Sequence, residues 1–119
     1  MKVRYSASGY ELTRELEKYA AVKVARLNRK VPRRYRAGAD CEVTFTQRRK
    51  QKAKFNTSTV TLRFNDTQLK ASETTLHMYA ALDIASVHIE QQLKDYARSH
   101  KNNGAWGRLK RSLRNQNWQ

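Results

Sequence analysis

The sequence has few cysteine, proline and glycine residues and no long hydrophobic run. Its 119 residues include one cysteine, one proline and four glycines. A single cysteine excludes an internal disulfide and gives no sign of an oxidising compartment. No apolar run approaches the roughly 20 residues that cross a bilayer. The first residues alternate as in a strand and do not form the apolar segment of a secretion signal. We therefore expect a cytoplasmic protein without a membrane partner.

Signatures of catalysis are also scarce. The three histidines, His77, His88 and His100, stand at no metal-ligand spacing with another ligand type. The sequence has no glycine-rich phosphate loop and no nucleophile motif. Cys41 falls on the inward face of a predicted strand, where we expect a buried structural thiol. These observations argue against an enzyme and predict no metal, no cofactor and no small-molecule substrate.

Acidic residues are the third shortage. The chain has 25 Lys and Arg against 10 Asp and Glu, which gives a formal net charge of +15. Such a charge destabilises a compact domain by self-repulsion, and it therefore indicates a polyanionic partner. Nucleic acid is favoured over an anionic membrane, because no basic helix with a bulky aromatic apolar face stands out in the sequence.

The spacing of hydrophobic residues predicts six elements. Alternation predicts strands, and spacing of three or four residues predicts helices. The predicted elements are a strand at 2–8, a helix at 14–30, strands at 39–47 and 57–64, a short strand around 69–71, and a long helix that ends near 98. Thr13 and Thr75 are the predicted N-caps, and Pro32 ends the first helix. A turn is predicted near Asn65 and Asp66.

These elements predict one small α+β domain, of order β-α-β-β-β-α, over residues 1–98. Each strand has a single apolar face, so both helices must cover the same side of a four-stranded sheet, and the open face is rich in threonine. Residues 99–119 are basic and contain no acid, and we expect a flexible tail. Trp106 and Trp118 in this tail suit either stacking on unpaired bases or hydrophobic contact.

The basic residues gather in three acid-free clusters. Eight of them lie between Glu17 and Asp40, on the first helix and the loop after it. The second cluster is the stretch "QRRKQKAK" at 47–54, and the third is the tail. Solubility alone would mix the two signs of charge, so this clustering favours contact with a polyanion. We expect residues 47–54 to form a mobile loop between antiparallel strands and to become ordered against phosphates.

One stretch carries more than composition. The sequence "LKASETTLHMYAALDIASVHIEQQLKDYARSHK", with "MYAALD" at 78–83 as its core, resembles the signature of the ribosome hibernation-promoting factor family, also called ribosome-associated inhibitor or protein Y. The first-helix sequence "ELTRELEKYAAVKVARL" is similar to the family's first helix, including basic residues at Lys23 and Arg26. The resemblance covers roughly residues 2–98.

The resemblance implies a fold related to double-stranded-RNA-binding domains and a stress or stationary-phase factor that preserves idle ribosomes. Members of this family bind the small ribosomal subunit and its rRNA in the channel of mRNA and tRNA, and so block translation. The charge clusters and the resemblance together give the candidate rRNA-binding residues Lys23, Arg26, Arg29, Lys30, Arg33, Arg34, Arg36, Arg48, Arg49, Lys50, Lys52, Lys94 and Arg98. We expect these contacts to read shape and phosphate without sequence specificity.

The chain departs from the family pattern in two ways. Its second helix is about neutral, whereas the family's second helix usually carries a basic face. The sequence also has no counterpart of the C-terminal dimerisation domain of long members. The resemblance therefore implies the short form, a monomer when free, which is not expected to drive ribosome dimerisation.

Two other functions fit the residues. A general structured-RNA-binding module, such as an RNA chaperone or an assembly factor, would coat many RNAs, whereas a hibernation factor saturates at one copy per small subunit. An RNA-processing enzyme would need an essential acid pair or a metal, and a chelator added to a cleavage assay would test for the metal.

Overall fold

The computed structural model describes residues 1–101 of the chain. Its elements are β1 (Lys2–Ser8), α1 (Arg14–Lys30), β2 (Asp40–Lys50), β3 (Ala53–Phe64), β4 (Thr67–Thr75) and α2 (Met78–Lys101), with a short 3-10 turn at Arg33–Tyr35. This order confirms the predicted β-α-β-β-β-α arrangement. Trp106, Trp118 and the rest of the predicted tail after Lys101 lie outside the described residues. Neither helix of this region is both long enough and apolar enough to span a bilayer.

The strands form one sheet in the order β1-β2-β3-β4. β1 runs parallel to β2, and β2–β3 and β3–β4 are antiparallel pairs. A parallel pair requires a long crossover connection, and here α1 supplies it. The predicted turn between β3 and β4 is confirmed, with φ of 46° at Asn65 and 58° at Asp66. Asn and Asp tolerate this left-handed conformation, which the tight turn of a hairpin requires.

The hydrophobic core lies between one face of the sheet and the two helices. Its buried members are Leu16, Ala20, Val24, Leu27, Val31, Ala39, Cys41, Val43, Phe45, Val60, Leu62, Phe64, Ala71, Met78, Leu82, Ala85, Ile89 and Leu93. The alternating strand pattern and the helical stripe therefore predicted the core side of each element. Cys41 is buried as expected, and burial raises the pKa of its thiol to about 12. The thiol thus remains protonated at neutral pH and is a poor nucleophile.

The N-cap prediction is confirmed for the first helix and wrong for the second. The Thr13 hydroxyl accepts a hydrogen bond from the Leu16 amide at 3.1 Å, and α1 ends at Lys30, two residues before Pro32. α2 begins only at Met78, because Thr75 is still the last residue of β4. The Thr75 hydroxyl instead accepts a hydrogen bond from the His77 amide at 3.1 Å, which closes a local turn between strand and helix.

The prediction of a loop at residues 47–54 is wrong. β2 continues to Lys50 and β3 begins at Ala53, so that only Gln51 and Lys52 form the turn. Gln51 takes the positive φ, 58°, that a two-residue hairpin turn needs. Paired backbone groups stabilise these strands even though exposed charged side chains show no hydrophobic alternation. Two further elements exceed their predicted lengths, since β4 spans nine residues and α2 continues to Lys101.

Candidate nucleic-acid interface

The β2–β3 hairpin extends beyond both edge strands of the sheet. The β1–β2 pairing stops at Ser8–Thr46, and the β3–β4 pairing begins at Asn56–Thr75. Residues 47–55 therefore form a two-stranded ribbon, and no other strand of residues 1–101 pairs with it on either side. We name this segment the ribbon. At about 3.3 Å per residue, the four steps from Thr46 to Lys50 carry the ribbon roughly 13 Å past the end of β1.

The base of the ribbon is fixed by buried polar contacts. Asn56 is 4% exposed, and its side-chain oxygen accepts a hydrogen bond from Gln47 Nε2 at 2.7 Å. The side-chain nitrogen of Asn56, Nδ2, donates to the Leu76 carbonyl at 2.9 Å, which ties β3 to the segment before α2. Gly9 lies against the same place, because a Cβ at Gly9 would stand 2.5 Å from the Gln47 carbonyl oxygen. The ribbon therefore projects from a rigid base.

The cations of the ribbon point to both of its faces. Side chains alternate along a strand, so Arg48 and Lys50 lie on the open side of the sheet, and Arg49 and Lys54 lie on the helix side. All four, and Lys52 at the turn, are exposed. Within residues 1–101 none of these five cations forms a salt bridge. Their mutual repulsion is therefore not offset by an ion pair with any carboxylate of the described residues.

The cations of α1 are placed differently, because several of them pair with acids of α2. Lys23 Nζ lies 3.0 Å from Asp83 Oδ1. Arg26 Nε lies 3.0 Å from Glu90 Oε1, and Lys30 Nζ lies 3.8 Å from the other oxygen of the same carboxylate. The sequence predicted a freely exposed basic face here, but Lys23 is only 26% exposed. The acids that make α2 about neutral thus offset part of the charge of α1.

Asp83 is the centre of this contact between the helices. The Tyr19 hydroxyl donates a hydrogen bond to the Asp83 carboxylate, on the same oxygen that pairs with Lys23. Burial acts to raise the pKa of Asp83, but hydrogen bonds from Tyr19 and Lys23 outweigh it, and the pKa is lowered overall. The same hydrogen bond raises the pKa of Tyr19. Asp83 therefore remains ionised at neutral pH and holds the two helices together.

Of the three arginines after α1, one holds the backbone and two are exposed. Arg36 Nε donates to the Val31 carbonyl at 2.8 Å, and its guanidinium also reaches the Arg29 carbonyl. Arg36 thus satisfies carbonyls at the end of α1. Arg33 and Arg34 are exposed, and the guanidinium of Arg34 lies 4.8 Å from the centre of the Tyr35 ring.

A chain of aromatic rings brings this loop close to the end of α2. The rings of Tyr35 and Phe64 stack at 6.2 Å, and Phe64 contacts Tyr96 edge to face at 4.9 Å. Lys94 and Arg98 are exposed on the α2 turns that flank Tyr96, and neither forms a salt bridge among the described residues. Arg33, Arg34, Lys94 and Arg98 therefore share one end of the domain.

The structure thus places the predicted site residues outside α1 in two regions. One is the loop after α1 with the end of α2, and the other is the ribbon. β2 connects them, and its ten steps from Asp40 to Lys50 span about 33 Å at 3.3 Å per residue. This separation fits a long polyanion better than a small anionic ligand.

The open face of the sheet between these regions carries rows of hydroxyl groups. The register aligns Ser6, Thr44, Thr59 and Ser72 across the four strands, and Ser8, Thr46, Thr57 and Thr74 form the next row. Hydroxyls pair at 2.9 Å between Thr59 and Ser72 and at 2.7 Å between Thr57 and Thr74. The threonine-rich open face predicted from the alternation is therefore present.

Sequence reasoning missed two residues that shape the candidate interface, one buried and one exposed. Asn56 interrupts the hydrophobic face of β3, but a lone polar residue gives no sign that it fixes the base of a hairpin. Phe55 is 39% exposed on the open face, and the sequence around it placed it in a loop. The only available signal was that an aromatic residue directly follows five cations.

Comparison with known proteins identifies the family. Residues 3–101 match the sequence profile of the family described as Sigma 54 modulation protein / S30EA ribosomal protein. The chain belongs to this family. Comparison with curated protein sequences gives no match.

Solved structures similar to this member of the S30EA family share its fold. The N-terminal domain of Protein Y from Thermus thermophilus matches with a TM-score of 0.67 at 20% identity, over 81% of this chain and 99% of that one. A ribosomal subunit interface protein from Coxiella burnetii matches with a TM-score of 0.65 at 18% identity, over 82% and 99% of the two chains. The profile match over residues 3–101 confirms the family predicted from the "MYAALD" stretch, and the solved structures agree with its fold.

Proposed function

We propose that this protein binds the small ribosomal subunit, occupies its mRNA and tRNA channel, and so inhibits translation and preserves idle ribosomes under stress or in stationary phase. Membership of the S30EA family supports a ribosome-associated role in the cytoplasm. The observation that carries the finer proposal is the pair of basic regions about 33 Å apart, because a channel walled by rRNA presents phosphates over such a length.

The proposed contacts are mainly electrostatic. Arg33 and Arg34 at one end, and Arg48, Arg49, Lys50 and Lys52 at the other, are exposed cations that can each approach a phosphate. Lys94 and Arg98 extend the first region, and Arg29 adds an exposed cation on α1. Lys23, Arg26 and Lys30 reach rRNA only if they share or exchange their carboxylates on α2. Arg36 contributes by holding the loop in position.

No catalytic step is assigned to the protein in this proposal. Inhibition follows from occupancy, since a folded cationic domain in the channel excludes mRNA and initiator tRNA. The protein acts as a monomer, without a cofactor and without a small-molecule substrate.

A competition experiment tests this function. The protein is titrated into a purified translation system, and the effect of excess mRNA with initiator tRNA is measured in parallel with sedimentation of the protein on small subunits. We expect saturation at one copy per subunit and relief of inhibition when both competitors are present. Inhibition that neither competitor relieves would contradict binding in the channel. Binding of many copies of the protein to one subunit would favour the alternative of a general structured-RNA-binding module.

A further inference from the structure

Phe55 occupies an unusual position on the open face of the sheet. It lies opposite Arg48 at the first ribbon pair that no edge strand covers. The other side chains that the register places on this face, among residues 1–101, are charged, polar or alanine. Phe55 is 39% exposed, and in the same region it makes no ring-to-ring contact. Burial in the core therefore does not account for this ring.

The surroundings of Phe55 form a shallow depression with a distinct chemistry. Thr46, Thr57 and Thr74 line it on the side of the sheet, and Arg48, Arg49 and Lys50 line it on the side of the ribbon. The depression therefore combines an exposed aromatic ring with hydroxyl groups and three cationic residues. These are the groups that contact a base, a sugar and a phosphate when proteins bind unpaired RNA.

The charge around the depression favours a polyanion over a protein partner of mixed charge. On the open face of β2, the acidic residue that precedes the depression is Glu42. It is six residues from Arg48, or about 20 Å along the strand. That distance exceeds the screening length of about 8 Å at physiological salt. A second copy of the chain would bring the same uncompensated cations to the contact, so self-association through this face is disfavoured.

We propose that the ring of Phe55 stacks on an unpaired base of an RNA strand whose phosphates contact Arg48 and Lys50. The threonine hydroxyls beside the ring are placed to hydrogen-bond the ribose hydroxyl or a base edge. Because every base has a flat π face, the contact tolerates any sequence. This inference rests on the proposed function and adds to it a contact with an unpaired nucleotide beside the contacts with phosphate.

The test compares two RNA-like probes of equal charge. One is an oligouridylate of about twelve nucleotides, and the other is an abasic ribose-phosphate of the same length. Fluorescence anisotropy with the full chain measures the affinity of each. We expect the wild type to bind the base-bearing probe roughly tenfold more tightly than the abasic one, and Phe55→Leu to remove most of that difference while its affinity for the abasic probe stays unchanged.

Two further variants make the result specific. Phe55→Trp restores a flat ring and should restore the preference for the base-bearing probe, which shows that loss in the leucine variant does not arise from misfolding. Tyr79→Leu is the matched control, because Tyr79 on α2 is also 39% exposed and should leave the preference intact.

Equal affinity of the wild type for both probes, or a preference that survives in Phe55→Leu, would overturn the stacking site and would leave this face better suited to a protein partner. That result would not affect the proposed function, which the competition with mRNA and initiator tRNA tests separately. Conversely, a protein that prefers the base-bearing probe but does not inhibit translation would contradict the proposed function and leave the stacking site intact.

Discussion

Neutralising the ribbon should weaken ribosome binding and make it less sensitive to salt. The variant replaces Arg49, Lys50 and Lys52 with Gln and leaves Arg48 beside Phe55. Each cation that contacts a phosphate contributes about 0.7 to 0.9 to the slope of log affinity against log salt. If all three make such contacts, the slope should fall by about 2 to 2.7. Over a fourfold rise in salt, the variant should therefore lose roughly 20- to 40-fold less affinity than the wild type.

Stability should hardly change in this variant, because the three side chains are exposed and lie beyond the edge strands. Surface substitutions of this kind alter the free energy of unfolding by about 0.5 kcal/mol or less, which corresponds to roughly 2–4 °C in Tm. The matched control replaces Lys2, Arg14 and Lys18 with Gln, which removes the same charge from exposed positions outside both proposed regions. Sedimentation with small subunits at several salt concentrations measures the slope. Equal slopes for the variant and the control would refute a specific role of the ribbon.

Three further predictions concern the rigid base and the contact between the helices. Gly9→Ala should destabilise the domain by roughly 1–3 kcal/mol in urea unfolding, because Gly9 has φ of 69° and a Cβ would strike the Gln47 carbonyl. The control Gly38→Ala has open space around it and should change stability far less. Equal effects of the two substitutions would contradict this account. Lys23→Glu places a carboxylate against Asp83 and should cost about 1 kcal/mol in the same assay, so a neutral effect would mean that the ion pair contributes nothing. The lowered pKa of Asp83 means that its contribution is complete above the ordinary value of about 3.9 and is lost as pH falls through the folded-state value. Asp83→Asn should therefore be less stable than the wild type at pH 7, and a gap that does not shrink in acid would argue against this linkage.

The hydrophobic periodicity was sufficient for the elements and the core, because burial leaves a regular trace in the sequence. The stripe from Leu16 to Leu27 and the alternation from Cys41 to Phe45 lie on the core side as predicted. The ribbon left no such trace, since its strands are held by backbone pairing and its side chains face solvent on both sides. An alternation test therefore cannot distinguish it from a loop.

The electrostatic partners of α1 could not be predicted because they are distant in sequence. Lys23 and Asp83 are brought together only by the packing of α1 on α2, and so are Arg26 and Glu90. Spacing of three and four residues correctly places Lys23 and Arg26 on one helix face but does not say what that face meets. The same limit applies to Asn56, whose partner at Leu76 lies in the segment between β4 and α2.

Directed cleavage of rRNA from the tip of the ribbon tests the central claim most directly. Lys52→Cys places a thiol at the exposed turn, where it can carry an iron chelate that generates hydroxyl radicals. The native Cys41 is the only other cysteine in the sequence, and its buried thiol, with a pKa of about 12, should not be labelled. We predict cuts in small-subunit rRNA that lines the mRNA and tRNA channel, and we predict that excess mRNA with initiator tRNA abolishes them. Cuts confined to the outer surface of the subunit, or cuts that persist with both competitors bound, would contradict occupancy of the channel.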